Sequence, residues 1–216
     1  MVNKVRNFIQ ENKLFEKESK LLLGLSGGRD SVVLLHVLLS LGYQVEAAHC
    51  NFNLRGQESD NETKFVKSLC KKWGVSCHVK HFETLKIKDD TSESIQFIAR
   101  ELRYNWFDEL LSCFDLDKTL TAHQLDDQIE TFFINLSRGT GLKGLLGIPK
   151  KRDSIVRPLL SVTRDEVTAY ATINNLEFKD DSSNEKDAYL RNNIRHHVVP
   201  QFISLNPGFH GSFEKT

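Results

Sequence analysis

Apolar positions along the chain follow two rhythms that take turns. Short, largely apolar runs at 21–25 (LLLGL), 44–50 (QVEAAHC) and 118–123 (KTLTAH) have the texture of strands in a parallel sheet, the first buried on both faces. VSCHVKHFE at 75–83 alternates and predicts another strand. Between them the period lengthens to that of helices. An amphipathic helix is predicted over 1–15, with Val5, Phe8, Ile9 and Leu14 on its apolar side. A helix apolar almost all round follows at 32–41, and an amphipathic one at 58–74 ends on Gly74. Two more are predicted at 92–114, with Ser92 as N-cap, and at 124–139. Beyond Gly139 the texture changes to a glycine-rich stretch. After it come a last strand at 154–160 (SIVRPLL), a helix capped by Thr163, and a helical run over 187–205. This alternation predicts an α/β fold: a doubly wound, mainly parallel five-stranded sheet with helices on both faces and a C-terminal helical extension.

Composition narrows the class. The 216 residues are 39% hydrophobic and 27% charged, the balance of a soluble globular chain. No apolar run approaches the roughly 18 residues that span a bilayer, and the charged start 1–20 has no signal-peptide core. Cys50, Cys70, Cys77 and Cys113 are scattered without a CxxC pair, which predicts reduced thiols in a cytoplasmic protein. Basic and acidic residues balance at 29 each, which speaks against nucleic-acid binding by bulk charge. The average hides structure, however. Arg138, Lys143, Lys150, Lys151, Arg152, Arg157 and Arg164 are opposed within 138–164 by Asp153 alone, a local net charge of +6.

The segment Ser26-Gly27-Gly28-Arg29-Asp30-Ser31 joins a predicted buried strand to an apolar helix. Glycines in that position let the backbone turn sharply and aim N–H groups at an anion before the first helical turn. Ser26 and Ser31 add hydroxyls, and Asp30 beside a phosphate calls for an intervening cation such as Mg²⁺. The plainer alternative is a glycine turn with Asp30 favouring the helix dipole. The loop is neither a Walker A sequence, since it has no following lysine, nor a GxGxxG fingerprint.

A second cluster opens the helix after the fourth strand: His123, Asp126, Asp127 and Glu130. At helical spacing His123, Asp127 and Glu130 share a narrow arc, while Leu125, Ile129, Phe132 and Leu136 are expected to face the core. The carboxylates then lie at the carboxyl end of a strand, where open α/β sheets bind ligands. The plainer alternative is a first turn whose acids complement the helix dipole.

SGGRDS at the end of a first strand resembles the PP-loop of the ATP pyrophosphatase superfamily. HQLDDQIET with INLSRGTGLKGLLGI (134–148), AHCNFNLR (48–55), ARELRY (99–104), RPLL (157–160), DSSN (181–184) and YLRNNIR (189–195) together resemble the tRNA(Ile)-lysidine synthetases. The matches run in order from residue 21 to about 207. The resemblance implies an adenine nucleotide alpha hydrolase-like fold and an enzyme that uses ATP and Mg²⁺. It implies adenylation of the C2 oxygen of the wobble cytidine in a tRNA(Ile) with a CAU anticodon, then displacement of AMP by the ε-amine of free lysine. It places Ser26, Gly27, Gly28, Arg29, Asp30, Ser31, Arg100 and His123 around the nucleotide, with His49 and Arg55 more loosely. Asp30 and Asp127 are expected to hold the metal, and Asp30, Asp126, Asp127 and Glu130 to carry the catalysis. Arg138, Lys143, Lys150, Lys151, Arg152, Arg191 and Arg195 are expected to contact tRNA or substrate. The sequence departs from many members at Asn51 and Phe52, where they carry an acidic residue and a histidine.

Arg191 and Arg195 stand four apart on one helical face, and by default would pair with Asp180, Asp181 or Asp187. The basic stretch would by default be a solvated surface. Residues 1–160 are expected to form the catalytic domain, and 161–216 an extension leading to further tRNA-binding domains. A piece of this length is then expected to bind ATP but to modify tRNA poorly. A homodimer stays open. Three other functions compete: a tRNA 2-thiocytidine synthase, which would use clustered cysteines; a small-molecule PP-loop ligase; and a nucleotide-binding module without turnover.

Overall fold

The computed structural model describes residues 1–179 and 190–215. Six strands form one sheet: β1 (Lys20–Gly24), β2 (Gln44–Asn51), β3 (Cys77–His81), β4 (Lys118–Leu120), β5 (Lys151–Arg152) and β6 (Ile155–Val156). Their order is β3-β2-β1-β4-β6-β5, with every pairing parallel except β5 against β6. The expected five strands are present, and the sixth is the short antiparallel β5, folded back through Asp153 in the left-handed region at φ 54°. The predicted strand at 154–160 shrinks to two residues, because Pro158 has no N–H to extend the ladder.

The helices are α1 (Val2–Glu11), α2 (Arg29–Ser40), α3 (Gln57–Trp73), α4 (Thr84–Asp89), α5 (Ile95–Phe114), α6 (Leu125–Ser137), α7 (Leu142–Leu145), α8 (Arg164–Ile173), α9 (Leu190–Asn193), α10 (Val199–Leu205) and α11 (Phe209–Glu214). A π-helical turn, Ile194–Val198, links α9 to α10. None of the helices among the described residues is long and apolar enough to cross a membrane.

Side-chain alternation along β1 divides the interior. Leu21, Leu23 and Leu25 face a core built with α1, α2, α3 and α8, while Leu22 faces a second core with Trp106, Phe107 and Leu110 of α5. Gly24 lets α5 approach, since a Cβ there would stand 3.0 Å from the Phe107 ring. A third cluster joins Leu125 and Ile129 of α6 to Ile194 and Val199 near the C-terminus. Leu136, expected in the core, is 51% exposed, because the last turn of α6 runs past that cluster. Several boundaries also move. The first helix ends at Glu11, α5 is capped by Ser94 rather than Ser92, and α4 was not anticipated. Thr163 caps α8 as expected, through a reciprocal box with Glu166.

The topology places a ligand crevice. From β1 the chain winds outward to β2 and β3, then returns to β4 on the opposite side of β1. The crevice between the carboxyl ends of β1 and β4 is the switch point where such sheets bind ligands. The loop after β1 carries SGGRDS, and the helix after β4 carries the acidic cluster.

Candidate active site

The phosphate loop closes on itself. Ser31 Oγ donates to the Gly28 carbonyl at 2.9 Å, so the 3.1 Å contact between the hydroxyls is Ser26 donating to Ser31. Ser26 Oγ also accepts the Gly28 N–H at 3.2 Å. Gly27 has φ +93°, and a Cβ there would meet Val66 of α3 at 3.1 Å, so both conformation and space favour glycine. With the hydroxyls committed to shaping the turn, the free N–H groups of the first turn of α2 are what remain for an anion. Asp30 lies in that turn, 3.5 Å from Arg29 Nε. Burial pushes its carboxyl up, while Arg29, Arg164 and Arg195 pull it down.

Across the crevice α6 begins with a capping box. Gln124 Oε1 accepts from Asp126 N at 2.7 Å, and Asp127 Oδ2 accepts from Gln124 N at 3.0 Å. The helix starts at Leu125, so His123 precedes it rather than sharing its arc. Burial pushes the Asp127 carboxyl up to about 6, with Glu130 and Asp30 adding to the rise and Gln124 N–H and Arg191 opposing it. Asp30 and Asp127 therefore form a mutually repelling pair, and Asp127 makes no ion pair among the described residues. That donor set fits a divalent cation. Among the described residues no three His, Cys, Asp or Glu side chains converge as a ready-made cage, so water or ligand oxygens would complete the shell.

Glu130 and Asp126 are already engaged. Glu130 is 1% exposed and accepts from Arg164 Nη2 at 2.8 Å and Arg195 Nε at 2.7 Å, with Arg191 Nε at 3.8 Å. Asp126 accepts the Arg164 N–H at 2.8 Å and contacts His210 Nε2 at 3.2 Å. Arg191 and Arg195 thus converge on Glu130, not on a neighbouring aspartate among the described residues. Arg195 lies in the π-helical turn, an irregularity frequent at functional sites.

A cationic wall faces His123. Its Nδ1 pairs with Thr121 Oγ1 at 2.9 Å, and burial with Arg157, Arg191, Arg100 and Arg103 lowers its pKa to about 4. The ring is neutral at pH 7. Arg157 is 3% exposed, donates to the Pro149 carbonyl at 2.6 Å, and among the described residues leaves Nε without a partner. Arg100 lies over the Tyr104 ring at 4.7 Å and Arg103 over Phe52 at 5.4 Å. No carboxylate pairs with Arg100, Arg103 or Arg157 among the described residues, so the wall suits an anion. Arg157 stands in the sequence within the basic stretch, by default a solvated surface, and Arg103 lies on a long helix where surface salt bridges are the default, so neither is expected in this wall. The available signal was an arginine inside the apolar run IVRPLLSV, a charge bound for burial.

Other expected site residues scatter. His49 is 3% exposed beneath the loop. Its Nδ1–H donates to the Leu25 carbonyl at 2.9 Å, and Nε2 lies 3.2 Å from Thr63 Oγ1. Both nitrogens are used, so His49 fixes the loop's entry from behind and does not face the crevice. Arg55 is held by Glu58 and Glu62 of α3. The basic stretch is not one surface. Arg157 and Arg164 turn inward, Lys150 reaches Asn12 at 2.9 Å, and Arg152 lies beside Asp153. Arg138, Lys143 and Lys151 remain exposed. The DSSN stretch at 181–184, with Asp180 and Asp187, lies outside the described residues.

Comparison with known proteins agrees with this geometry. Residues 1–202 match the PP-loop domain family. The tRNA(Ile)-lysidine synthase of Porphyromonas gingivalis is 46% identical over 218 residues, which is 100% of this chain and 48% of that protein. That of Bacteroides thetaiotaomicron is 44% identical, over 99% of this chain and 50% of the relative. That of Petrotoga mobilis is 37% identical, over 97% of this chain and 68% of the relative. The chain spans about half the length of the first two. Two solved structures share the fold. The U34-tRNA thiolase NcsA of Methanococcus maripaludis, with its [4Fe-4S] cluster, gives a TM-score of 0.79 at 21% identity, covering 98% of this chain and 75% of that one. The NH3-dependent NAD synthetase of Campylobacter jejuni gives 0.59 at 16% identity, covering 99% and 90%. With a loop-and-acid crevice at the sheet's switch point and relatives of this similarity, the chain belongs to the PP-loop family and, within it, to the tRNA(Ile)-lysidine synthases.

Proposed function

We propose that this chain carries the ATP-dependent chemistry of lysidine formation. The C2 oxygen of the wobble cytidine of a CAU-anticodon tRNA(Ile) attacks the α-phosphorus of ATP, pyrophosphate leaves, and the ε-amine of free lysine then displaces AMP. The observation that carries the reading is the apposition of Asp30, in the phosphate loop, with Asp127, in the acidic helix, across the crevice between β1 and β4. An anion cradle facing paired carboxylates fits cleavage of ATP better than it fits nucleotide storage.

Within this reading the first-turn N–H groups of α2 hold the pyrophosphate portion, at the positive end of a helix. Asp30 and Asp127 would hold Mg²⁺, which would offset the charge that develops on the departing pyrophosphate. Arg100, Arg157 and Arg191, ranged about a neutral His123, hold the phosphate on which the adenylate forms. Glu130, held by Arg164 and Arg195, and Asp126, held by the Arg164 N–H and His210, position α6 and its arginines. Asp127, which makes no ion pair among the described residues, is the carboxylate left to draw the ammonium of lysine and take its proton. Arg138, Lys143 and Lys151, exposed beyond α6, track tRNA phosphates. The reading places the protein in the cytoplasm with its tRNA.

The test is dependence. With ATP and Mg²⁺, pyrophosphate release should require the CAU tRNA, labelled-lysine incorporation should require both ATP and that tRNA, and both should vanish in Asp30→Ala and Asp127→Asn. Sulfur incorporation in place of lysine would instead mark a thiolation enzyme. ATP binding without turnover would mark a binding module.

A further inference from the structure

The phosphate loop lacks the lysine that follows a Walker loop, and its one cation, Arg29, lies against Asp30. A different lysine arrives from 150 residues further along. After α8 the chain crosses the loop, and the Lys179 N–H donates to the Gly27 carbonyl at 3.0 Å. The Lys179 carbonyl lies 3.9 Å from where a Cβ of Gly28 would stand, so this residue's backbone flanks both glycines. Its ammonium sits 5.6 Å from the centre of the Phe65 ring, and that ring in turn packs beside Gly27.

Among the described residues the charge at Lys179 is uncommitted. It lines a cleft of about 170 Å³ with Glu58, Asn61 and Glu62, but both glutamates pair with Arg55, at 3.0 and 2.9 Å. Among the described residues Lys179 makes no ion pair. The side chain is exposed and, among the described residues, its ammonium rests on an aromatic face, so rotation toward the loop costs little.

We propose that Lys179 is a phosphate-binding residue, its ammonium contacting the β- and γ-phosphates of ATP and the pyrophosphate that leaves. The proposal rests on the ATP reading above and adds to it a binding residue from outside the loop. The main-chain bond to Gly27 sets where the lysine stands relative to the loop, and a compact ammonium on a flexible stem suits a polyphosphate whose charge grows as the bond breaks. The main-chain bond needs only the N–H that alanine and arginine also carry, so those variants at this position test the ammonium alone.

The experiment is calorimetric binding of ATP, inorganic pyrophosphate and AMP, each with Mg²⁺, to the wild type, Lys179→Ala and Lys179→Arg. The expected result is ATP and pyrophosphate affinity reduced roughly tenfold in K179A, AMP affinity unchanged, and most of the loss recovered in K179R. Equal weakening for AMP, or undiminished pyrophosphate binding in K179A, would overturn it. Should the wild type bind neither ATP nor pyrophosphate, the ATP reading itself falls and this proposal with it. Should the wild type bind both and K179A bind them equally well, only the role of Lys179 falls.

Discussion

The two halves of the crevice are built by opposite means. The turn of the phosphate loop is assembled from neighbours: the hydroxyl hydrogen bonds that shape it join residues within five positions, Ser26 to Ser31, Gly28 to Ser26 and Ser31 to Gly28, with main-chain support from Lys179 and a brace from His49 added from afar. The acidic side is assembled from a distance. Glu130 is buried only because Arg164 and Arg195, 34 and 65 residues away, supply its hydrogen bonds. A local device can be shaped by its own hydroxyls and glycines. A buried carboxylate needs partners wherever the fold can find them, and removing them exposes a full desolvation cost. One side thus tolerates small edits, while the other holds α6, α8 and the C-terminal helices in register.

That contrast can be broken experimentally, beginning with the largest effect. Glu130→Ala strands the Arg164 and Arg195 guanidiniums and should cost about 3–5 kcal/mol in urea unfolding. A loss below about 1 kcal/mol would mean that the arginines find other partners and that the acidic side is as local as the loop. Asp30→Ala and Asp127→Asn lie across the crevice from each other. Each should lower pyrophosphate release by roughly 100-fold or more while the fold survives. Steady-state turnover beside thermal unfolding separates the two effects, and a stable variant with wild-type turnover removes that residue from the chemistry.

Smaller effects sharpen the same contrast. His123 is lowered to about 4 in the fold, against an ordinary histidine near 6.5. The unfolded chain therefore takes up that proton first, so the contribution of the neutral ring is complete above pH 6.5 and lost as pH falls toward 4. The Asp127 carboxyl, raised to about 6, acts in the opposite direction over the lower part of that window, because the folded state takes its proton first. Comparing wild type with His123→Asn isolates the histidine. Between pH 6.5 and 4 the wild type should lose about 2 kcal/mol more than the variant, and parallel pH profiles would contradict the assignment. Last, Ser26→Ala should cost only about 1 kcal/mol in denaturant melts, since the two local hydrogen bonds it removes, to Ser31 and from the Gly28 N–H, are made by an exposed hydroxyl whose partners water can reach. A loss like that of Glu130→Ala would erase the distinction between the two sides.

The same division decides what could be read from the chain. SGGRDS between an apolar strand and an apolar helix announces an anion loop, and α2 and the Thr163 cap fall where local pattern puts them. The crevice itself follows from strand alternation, because the return from β3 to β4 across β1 is the usual winding of such sheets. The commitments of the acids were not legible. Nothing near Glu130 in sequence reveals Arg195, and only the fold shows that Arg191 and Arg195 turn toward α6. His49 at a strand's carboxyl end reads by default as a packed histidine, and only the resemblance, loosely, makes it a site residue; Leu25 and Thr63 use both its nitrogens. The basic stretch looks continuous in one dimension, but Arg157 and Arg164 point inward where Arg138 and Lys143 do not. Burial, unlike spacing, depends on what the rest of the chain brings alongside.

The most direct measurement follows both products of ATP cleavage and the fate of lysine in one reaction. The protein is supplied with α-labelled ATP, Mg²⁺, a CAU-anticodon tRNA(Ile) and labelled lysine. The account predicts AMP and pyrophosphate released in equal amounts, with one lysine joined to tRNA for each. ADP and phosphate as the products, or AMP formed at full rate without lysine reaching the tRNA, would contradict it.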